Sequence, residues 1–373
     1  MKIGITCYPT MGGSGIIATE LGIQMAERGH DVHFITSNTP FRIQFHRPNI
    51  TIHQVDVNQY AVFQYPPYDI TLATKIAEVI NDYDLDVLHM HYAVPHAICG
   101  ILGRQIARKD VKIVTTLHGT DITVLGYDST LRSAIRFGIE ESDIVTSVSD
   151  ALTDDTMSLI APKKDLRTVY NFINEKDFVP NNNQALKQSY GIPEDYKVIS
   201  HVSNFRKVKR IQDILYTFKR VREQIKVKLL LIGDGPELSK MRRLAVKLNI
   251  SDDVMFVGKQ EQVANFYQMS DLFLLLSEKE SFGLVLLEAM NCGVVCIGTR
   301  AGGIGEVIRH EETGLLVEVG DTEQAAAYAQ RLLTDDDYYH QLQQNMMADI
   351  QNRFSSRSIT DQYEAIYQEL VNG

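Results

Sequence analysis

Short apolar runs alternate with longer stretches of helical period along this chain, and the whole rhythm occurs twice. In the first half, "KIGIT", "DVHFIT", "ITIHQV", "VLHMH", "KIVTTLH", "DIVTSVS" and "LRTVYNFI" read as strands. Amphipathic segments such as Ile16 to Arg28 and Ile70 to Asn81 read as the helices between them. Strands separated by helices pair in parallel, and a parallel sheet must be covered on both faces. The polar stretch "NEKDFVPNNNQALKQ" interrupts the pattern, and Asn181 to Asn183, with no apolar periodicity, read as a linker. The alternation restarts with "KVISHVS", "VKLLLIG", "VMFVG", "DLFLLLS", "VVCIGT" and "GLLVEV". The sequence therefore predicts an α/β chain of two Rossmann-like, doubly wound domains meeting near residues 172 to 186. A helical tail follows from Asp321 to Val371. Ligands bind at the C-terminal ends of such strands, so the site is expected in a cleft that both domains face.

Composition narrows the function class. The chain has 373 residues, 44% of them apolar, enough for two cores. A formal charge of −10 argues against a nucleic-acid partner. No run of about 18 apolar residues is available to span a bilayer, so no membrane partner is expected. The opening "MKIGITCYPTMGGSG" reads as a first strand and not as a secretory leader. The four cysteines, Cys7, Cys99, Cys292 and Cys296, are scattered and read as structural thiols of a reducing cytoplasm. Cys292 with Cys296 makes no metal site.

Three glycine-rich turns follow predicted strands: "MGGSG" (Met11 to Gly15), Ser281-Phe282-Gly283 and "AGGIGE" (Ala301 to Glu306). Glycine allows close approach of backbone to a ligand, and a helix start offers free N–H groups and a positive dipole end to an anion. "MGGSG" is not G-x-G-x-x-G, and the second strand ends in Thr36, Ser37 and Asn38 without an acidic residue. Both points argue against a dinucleotide. After "KVISHVS" comes "SNFRKVKR", with Arg206, Lys207, Lys209 and Arg210 within five positions. Cations at a helix start oppose the dipole, and an anionic ligand such as a pyrophosphate would relieve that conflict. His118 ends "KIVTTLH" beside Gly119, while His89, His91 and Tyr92 end the strand before it. "HMH" puts two rings on one face but lacks a third ligand, so no metal is expected. The D-x-D at Asp84 to Asp86 precedes its strand and reads as a solvated turn.

Glu280 and Glu288 bracket the apolar run Phe282 to Leu287. A glycosidase pair would stand about 5–9.5 Å apart, whereas eight residues of helix rise about 12 Å. The pair is spaced to hold two ends of one long ligand, with the helix start taking charge in the middle. A nucleoside diphosphate sugar has that layout.

E-x7-E followed by "AMNCG", "VVCIGT" and G-G-x-x-E (Gly302, Gly303, Glu306) resembles the retaining glycosyltransferases of family 4, over nearly the whole chain. The resemblance implies the GT-B fold, with its C-terminal helix crossing back to the first domain. It implies an N-terminal acceptor-binding domain over 1–172, a C-terminal nucleotide-sugar domain over 173–353, and the returning helix over 354–373. By the same resemblance Glu280 contacts the donor sugar hydroxyls and Glu288 the ribose. Lys209 matches the diphosphate lysine, Gly13 the loop glycine beside the diphosphate, and His118 the histidine facing the transferred sugar. Asn204 stands where the family usually has arginine, so Arg206 is taken as the second cation.

The expected catalytic set is thus His118, Glu280, Arg206 and Lys209. Donor contacts are expected from Gly13, Asn204, Arg206, Lys209, Ser281, Phe282, Gly283, Leu284 and Glu288. Acceptor contacts are expected from Ser14, Tyr92, Thr116 and Arg206, with Ser14 alternatively capping a helix that starts near Gly15.

"CYPTMGGSGIIATELG", "SNTPFRI", "YPPYDITLATK", "HMHYAVPHA" and "TTLHGTDITVLG" resemble one branch of that family more closely. This implies UDP-N-acetylglucosamine as donor, L-malate as acceptor and a place in bacillithiol biosynthesis. No cofactor or metal is implied, and a homo-oligomer is compatible. Other readings stay open: a family member with a lipid or sugar acceptor, a UDP-sugar 2-epimerase, and a nucleotide-binding protein without this chemistry.

Overall fold

The computed structural model describes residues 1–9, 12–40, 43, 47–59, 61–62 and 64–373. Thr10 and Met11 of the first glycine-rich turn, and Phe41 and Arg42 of "SNTPFRI", lie outside the described residues. The chain divides into two compact units: Met1–Phe172 with Ser356–Gly373, and Ile173–Ser355.

The first unit is built on seven parallel strands: β1 (Lys2–Thr6), β2 (Asp31–Thr36), β3 (Ile50–Gln54), β4 (Val87–His91), β5 (Lys112–Leu117), β6 (Ile144–Ser147) and β7 (Arg167–Thr168). Their order is β3-β2-β1-β4-β5-β6-β7. Every apolar run read as a strand is one, although "LRTVYNFI" contributes only its two residues Arg167 and Thr168. The two anticipated helices are a little longer than their periodicity indicated, Gly13–Glu27 and Tyr68–Tyr83. One face of the sheet is covered by Leu72, Ile76, Ile80 and Ile101, packed on Leu88, Met90 and Ile113. On the other face, Ile359, Tyr363, Ile366 and Tyr367 of the last helix, Ser356–Asn372, pack with Ile5, Phe34, Val114 and Phe172. Positions 359, 363, 366 and 367 recur at helical spacing and form one apolar stripe. That stripe is the reason a segment so distant in sequence joins the first core.

The second unit repeats the plan with β8 (Lys197–Ser203), β9 (Val227–Gly233), β10 (Val254–Gly258), β11 (Leu272–Leu275), β12 (Cys296–Thr299) and β13 (Leu315–Val317), in the order β10-β9-β8-β11-β12-β13. The polar run at Asn181 to Asn183 is not a free linker. The division between units falls earlier, after Phe172. Asn183 caps the short helix Gln184–Ser189 by accepting from the Leu186 amide at 3.2 Å. The signal was misread because Asn is favoured at helix N-caps as well as in loops. Among the described residues no helix is long and apolar enough to cross a membrane.

In each sheet the order reverses between the first and fourth strands of that unit, β1/β4 and β8/β11. Crossovers on the two sides leave in opposite directions there and open a crevice at the strand C-termini. Gly12 to Gly15 and the end of "HMHY" stand at the first crevice; "SNFRKVKR" and "EKESFG" stand at the second.

Candidate active site

In the second unit two loops meet at the β8/β11 switch point. The Glu278 amide donates to the Val208 carbonyl at 2.8 Å, which ties the loop after β11 to the loop after β8. This brings the Lys209 ammonium within 2.5 Å of Glu280 Oε2, with both side chains only 17% exposed. A pair at that depth is screened weakly, so it is a concentrated charge site rather than a surface bridge. Arg206 lies nearby in sequence, exposed, and makes no ion pair among the described residues. Asn204 is exposed at the same strand end.

The expected conflict between cations and the following helix is settled partly by the protein itself. Arg210 precedes the helix Ile211–Arg222, and its Nε donates to Asp213 in the first turn at 2.6 Å. Arg210 is thus neutralised internally and Lys209 is paired with Glu280, which leaves Arg206 and Lys207 as the exposed cations of the cluster without an ion pair among the described residues.

The loop carrying Glu280 is braced from behind by the "AGGIGE" turn. The Gly303 amide donates to the Glu280 carbonyl at 3.0 Å. Gly302 has φ of 51°, and a Cβ there would overlap that same carbonyl oxygen; one at Gly303 would overlap the Ser281 carbonyl. Only glycine lets the two backbones touch. Phe282 is buried edge-on to Phe354, at 5.7 Å between ring centres, so only its backbone can meet a ligand. Gly283 then takes a left-handed turn (φ 94°) into the helix Leu284–Asn291. Glu280 is accordingly in the loop and Glu288 on the helix. Glu288 is 7% exposed and accepts from the Tyr267 hydroxyl at 2.9 Å.

In the first unit the helix Gly13–Glu27 starts directly at the β1/β4 crevice with its first amides open. Gly12 precedes it and no side chain caps it. The capping role considered for Ser14 is therefore excluded: Ser14 lies inside the first turn. Its Oγ instead accepts from the Tyr92 hydroxyl at 2.7 Å, so these two acceptor candidates stand together. Thr116 does not join them. It is fully buried, and its hydroxyl contacts His89 Nε2 (2.7 Å), Thr146 (2.7 Å) and Tyr363 (3.3 Å) beneath the last helix. Thr116 is covered by the last helix, and its hydroxyl is taken up by those three partners, so it offers nothing to an acceptor.

His118 Nε2 lies 2.8 Å from His91 Nδ1, and the two rings are stacked. Burial, and secondarily His96, pushes His118 down to about 3, so it is a neutral imidazole at working pH. Among the described residues no group of three metal-ligating side chains forms, and the His89 ring of "HMH" is bonded to Tyr367 (2.6 Å) and Thr116. Asp84 takes a left-handed turn and pairs with Lys109, while Asp86 accepts from the Lys2 amide at 2.7 Å, so D-x-D is a structural turn.

Three residues were missed from the sequence. Asp121 is fully buried and accepts from the amides of Ala93 (3.2 Å), His118 (3.3 Å) and Gly119 (3.0 Å), fixing the turn that presents His118. Burial pushes its carboxyl up to about 6 against those donors. An Asp three residues after a strand-end His, in "HGTD", was the available signal. Gly235 packs so closely on the Asn204 carbonyl that a Cβ would overlap it, which braces the loop after β8. Tyr267, the third, had no local signal.

Residues 11–177 match Glycosyltransferase Family 4, and residues 182–348 match Glycosyl transferases group 1. The chain is 55% identical over 371 residues to N-acetyl-alpha-D-glucosaminyl L-malate synthase of Bacillus anthracis, covering 100% of this chain and 97% of that one. Among solved structures, Anabaena HepE in complex with UDP-glucose superposes with a TM-score of 0.84 at 20% identity, covering 99% of this chain and 100% of that one. Sucrose-phosphate synthase from Thermosynechococcus elongatus gives 0.82 at 23%, over 99% of each. These likenesses assign the GT-B fold.

Proposed function

The chain belongs to glycosyltransferase family 4, and on that premise we propose that it moves N-acetylglucosamine, with retention, from UDP-N-acetylglucosamine to the hydroxyl of L-malate, the first step of bacillithiol biosynthesis. The observation that carries the donor half is the Lys209–Glu280 pair at the β8/β11 switch point. It sets a cation for a diphosphate beside a carboxylate for sugar hydroxyls. The acceptor half rests on likeness to the Bacillus anthracis synthase over the whole chain.

In this reading the second unit holds the donor. Lys209, Arg206 and the backbone at Ser281, Gly283 and Leu284 meet the diphosphate, and Glu288 meets the ribose. Charge grows on the leaving diphosphate as the glycosidic bond breaks, and a fixed ammonium stabilises that charge more than it stabilises the bound donor. Glu280 orients the sugar, and the neutral His118 faces it as a hydrogen-bonding group. The malate hydroxyl attacks on the face that UDP leaves, and its proton passes to the departing diphosphate. Gly13 and the open amides of its helix, with Ser14 and Tyr92, supply donors to negative charge in the first unit. Arg206 serves both substrates.

The test is UDP release from UDP-N-acetylglucosamine with and without L-malate, with mass spectrometry of the product. Release that requires malate and yields an N-acetylglucosaminyl malate is expected. Release without acceptor, accompanied by an epimerised sugar, would establish the epimerase instead. Product from a lipid or sugar but not malate would replace the acceptor. The same assay in EDTA should run at full rate, because the protein's cations already face the diphosphate. Loss of turnover restored by magnesium would overturn that.

Ser14 gives a separate check. Since it caps nothing, Ser14→Ala should leave Tm unchanged while raising the malate KM about fivefold through loss of one polar contact. A lowered Tm with an unchanged malate KM would remove Ser14 from the acceptor site.

A further inference from the structure

Glu288 and Tyr267 come from different elements: the helix Leu284–Asn291, and the short helix Ala264–Tyr267 that precedes β11. A carboxylate only 7% exposed must be held by donors, because an unsatisfied buried charge is costly. The Tyr267 hydroxyl, 2.9 Å from Glu288 Oε2, is one such donor. The Tyr267 ring is fully buried and cannot swing away: Phe273 meets it edge-on at 5.5 Å and Phe178 at 6.4 Å. Burial, and then the neighbouring carboxylate, holds its phenol well above the usual range. The phenol therefore stays protonated and always donates.

We propose that Tyr267 is a positioning residue for nucleoside recognition, locking the Glu288 carboxyl in one orientation from which it accepts hydrogen bonds from the donor's ribose hydroxyls. The inference rests on the reading of Glu288 as the ribose ligand and assigns the residue that gives it precision. An acceptor held in one orientation makes a stronger and more selective bond to a hydroxyl than a mobile one. A site built to bond a hydroxyl discriminates against the analogue that lacks it. Tyr267 thus bears on the choice between ribose and deoxyribose without touching the nucleotide.

The experiment measures binding of UDP, 2′-deoxy-UDP and 3′-deoxy-UDP to the wild type, Tyr267→Phe and Glu288→Gln, with kcat and KM for UDP-N-acetylglucosamine alongside. Tyr267→Phe keeps the ring and its packing and removes only the hydroxyl. UDP should bind about tenfold more weakly, and the preference for UDP over the sensitive deoxy analogue should shrink about fivefold. The donor KM should rise while kcat stays within about twofold. Equal weakening of UDP and both analogues would mean a merely structural role and overturn the proposal, as would unchanged binding. If Glu288→Gln alters the preference and Tyr267→Phe does not, Tyr267 alone is wrong. If neither alters it, the ribose reading of Glu288 falls and takes this inference with it. Should Tyr267→Phe fail to fold, 3-fluorotyrosine at position 267 keeps both ring and hydroxyl. Its more acidic donor should shift the UDP preference, and an unchanged preference would overturn the proposal.

Discussion

Glu280→Gln is expected to lower kcat by about 10²- to 10³-fold while tightening the binding of UDP. The two effects have one cause. Glutamine has nearly the shape of glutamate and can still meet a sugar hydroxyl, so the bound donor is little changed. What disappears is the negative charge within 2.5 Å of Lys209 Nζ. The ammonium then stands uncompensated in a site only 17% exposed, where charges are weakly screened. An anionic diphosphate finds a more positive surface and binds better. The transition state, however, carries positive charge on the sugar ring and needs the carboxylate that held it. Lys209→Ala reverses the sign on binding: UDP should bind more weakly, and kcat/KM should fall by about 10²- to 10³-fold, because the leaving diphosphate loses its nearest fixed cation. Steady-state kinetics with UDP as product inhibitor reads both quantities. Weaker UDP binding in Glu280→Gln, or stronger binding in Lys209→Ala, would mean that the pair does not face the diphosphate.

How much of this was legible in the sequence follows from the kind of signal each feature leaves. Strand and helix periods are local, so the strands of both units and their parallel character could be read directly. The β1/β4 and β8/β11 switch points needed the strand order that the structure supplies, but the motifs there, "HMHY" and "EKESFG" among them, could be found because they lie at or soon after strand ends. What failed depended on side-chain direction or on distant packing. Thr116 looked like a cleft residue, but Tyr363, 247 residues away on the last helix, covers it and buries it in the core. For Ser14, expected at the acceptor, only the alternative of a helix cap fell, because the helix starts at Gly13. Tyr267 and Asp121 act through a hydrogen bond across 21 residues and through backbone amides, respectively. Only the second left a local trace, the Asp of "HGTD".

Gly302→Ala is expected to lower kcat about 100-fold and Tm by several degrees, although Gly302 need not touch either substrate. Its added methyl group would overlap the Glu280 carbonyl oxygen, a backbone atom that cannot rotate aside. That oxygen is also the acceptor for the Gly303 amide at 3.0 Å, so moving it breaks the bond that seats the loop. The backbone at Gly302 is left-handed, with φ of 51°, which costs any residue with a Cβ about 1 kcal/mol before the overlap is counted. The strain can be relieved only by shifting the segment from Glu280 to Phe282, which would draw the Glu280 carboxylate away from Lys209 and tilt the start of the helix Leu284–Asn291. A displacement of about 1 Å at a positioned catalytic group costs about 10²-fold in rate. Gly305→Ala is the control, since a Cβ there would meet nothing within 4 Å. It lies three residues further along the same turn and should leave both kcat and Tm near wild type. If both substitutions behave alike, or if Gly302→Ala lowers Tm without touching kcat, the turn is a packing element only, and the position of Glu280 is set by something else.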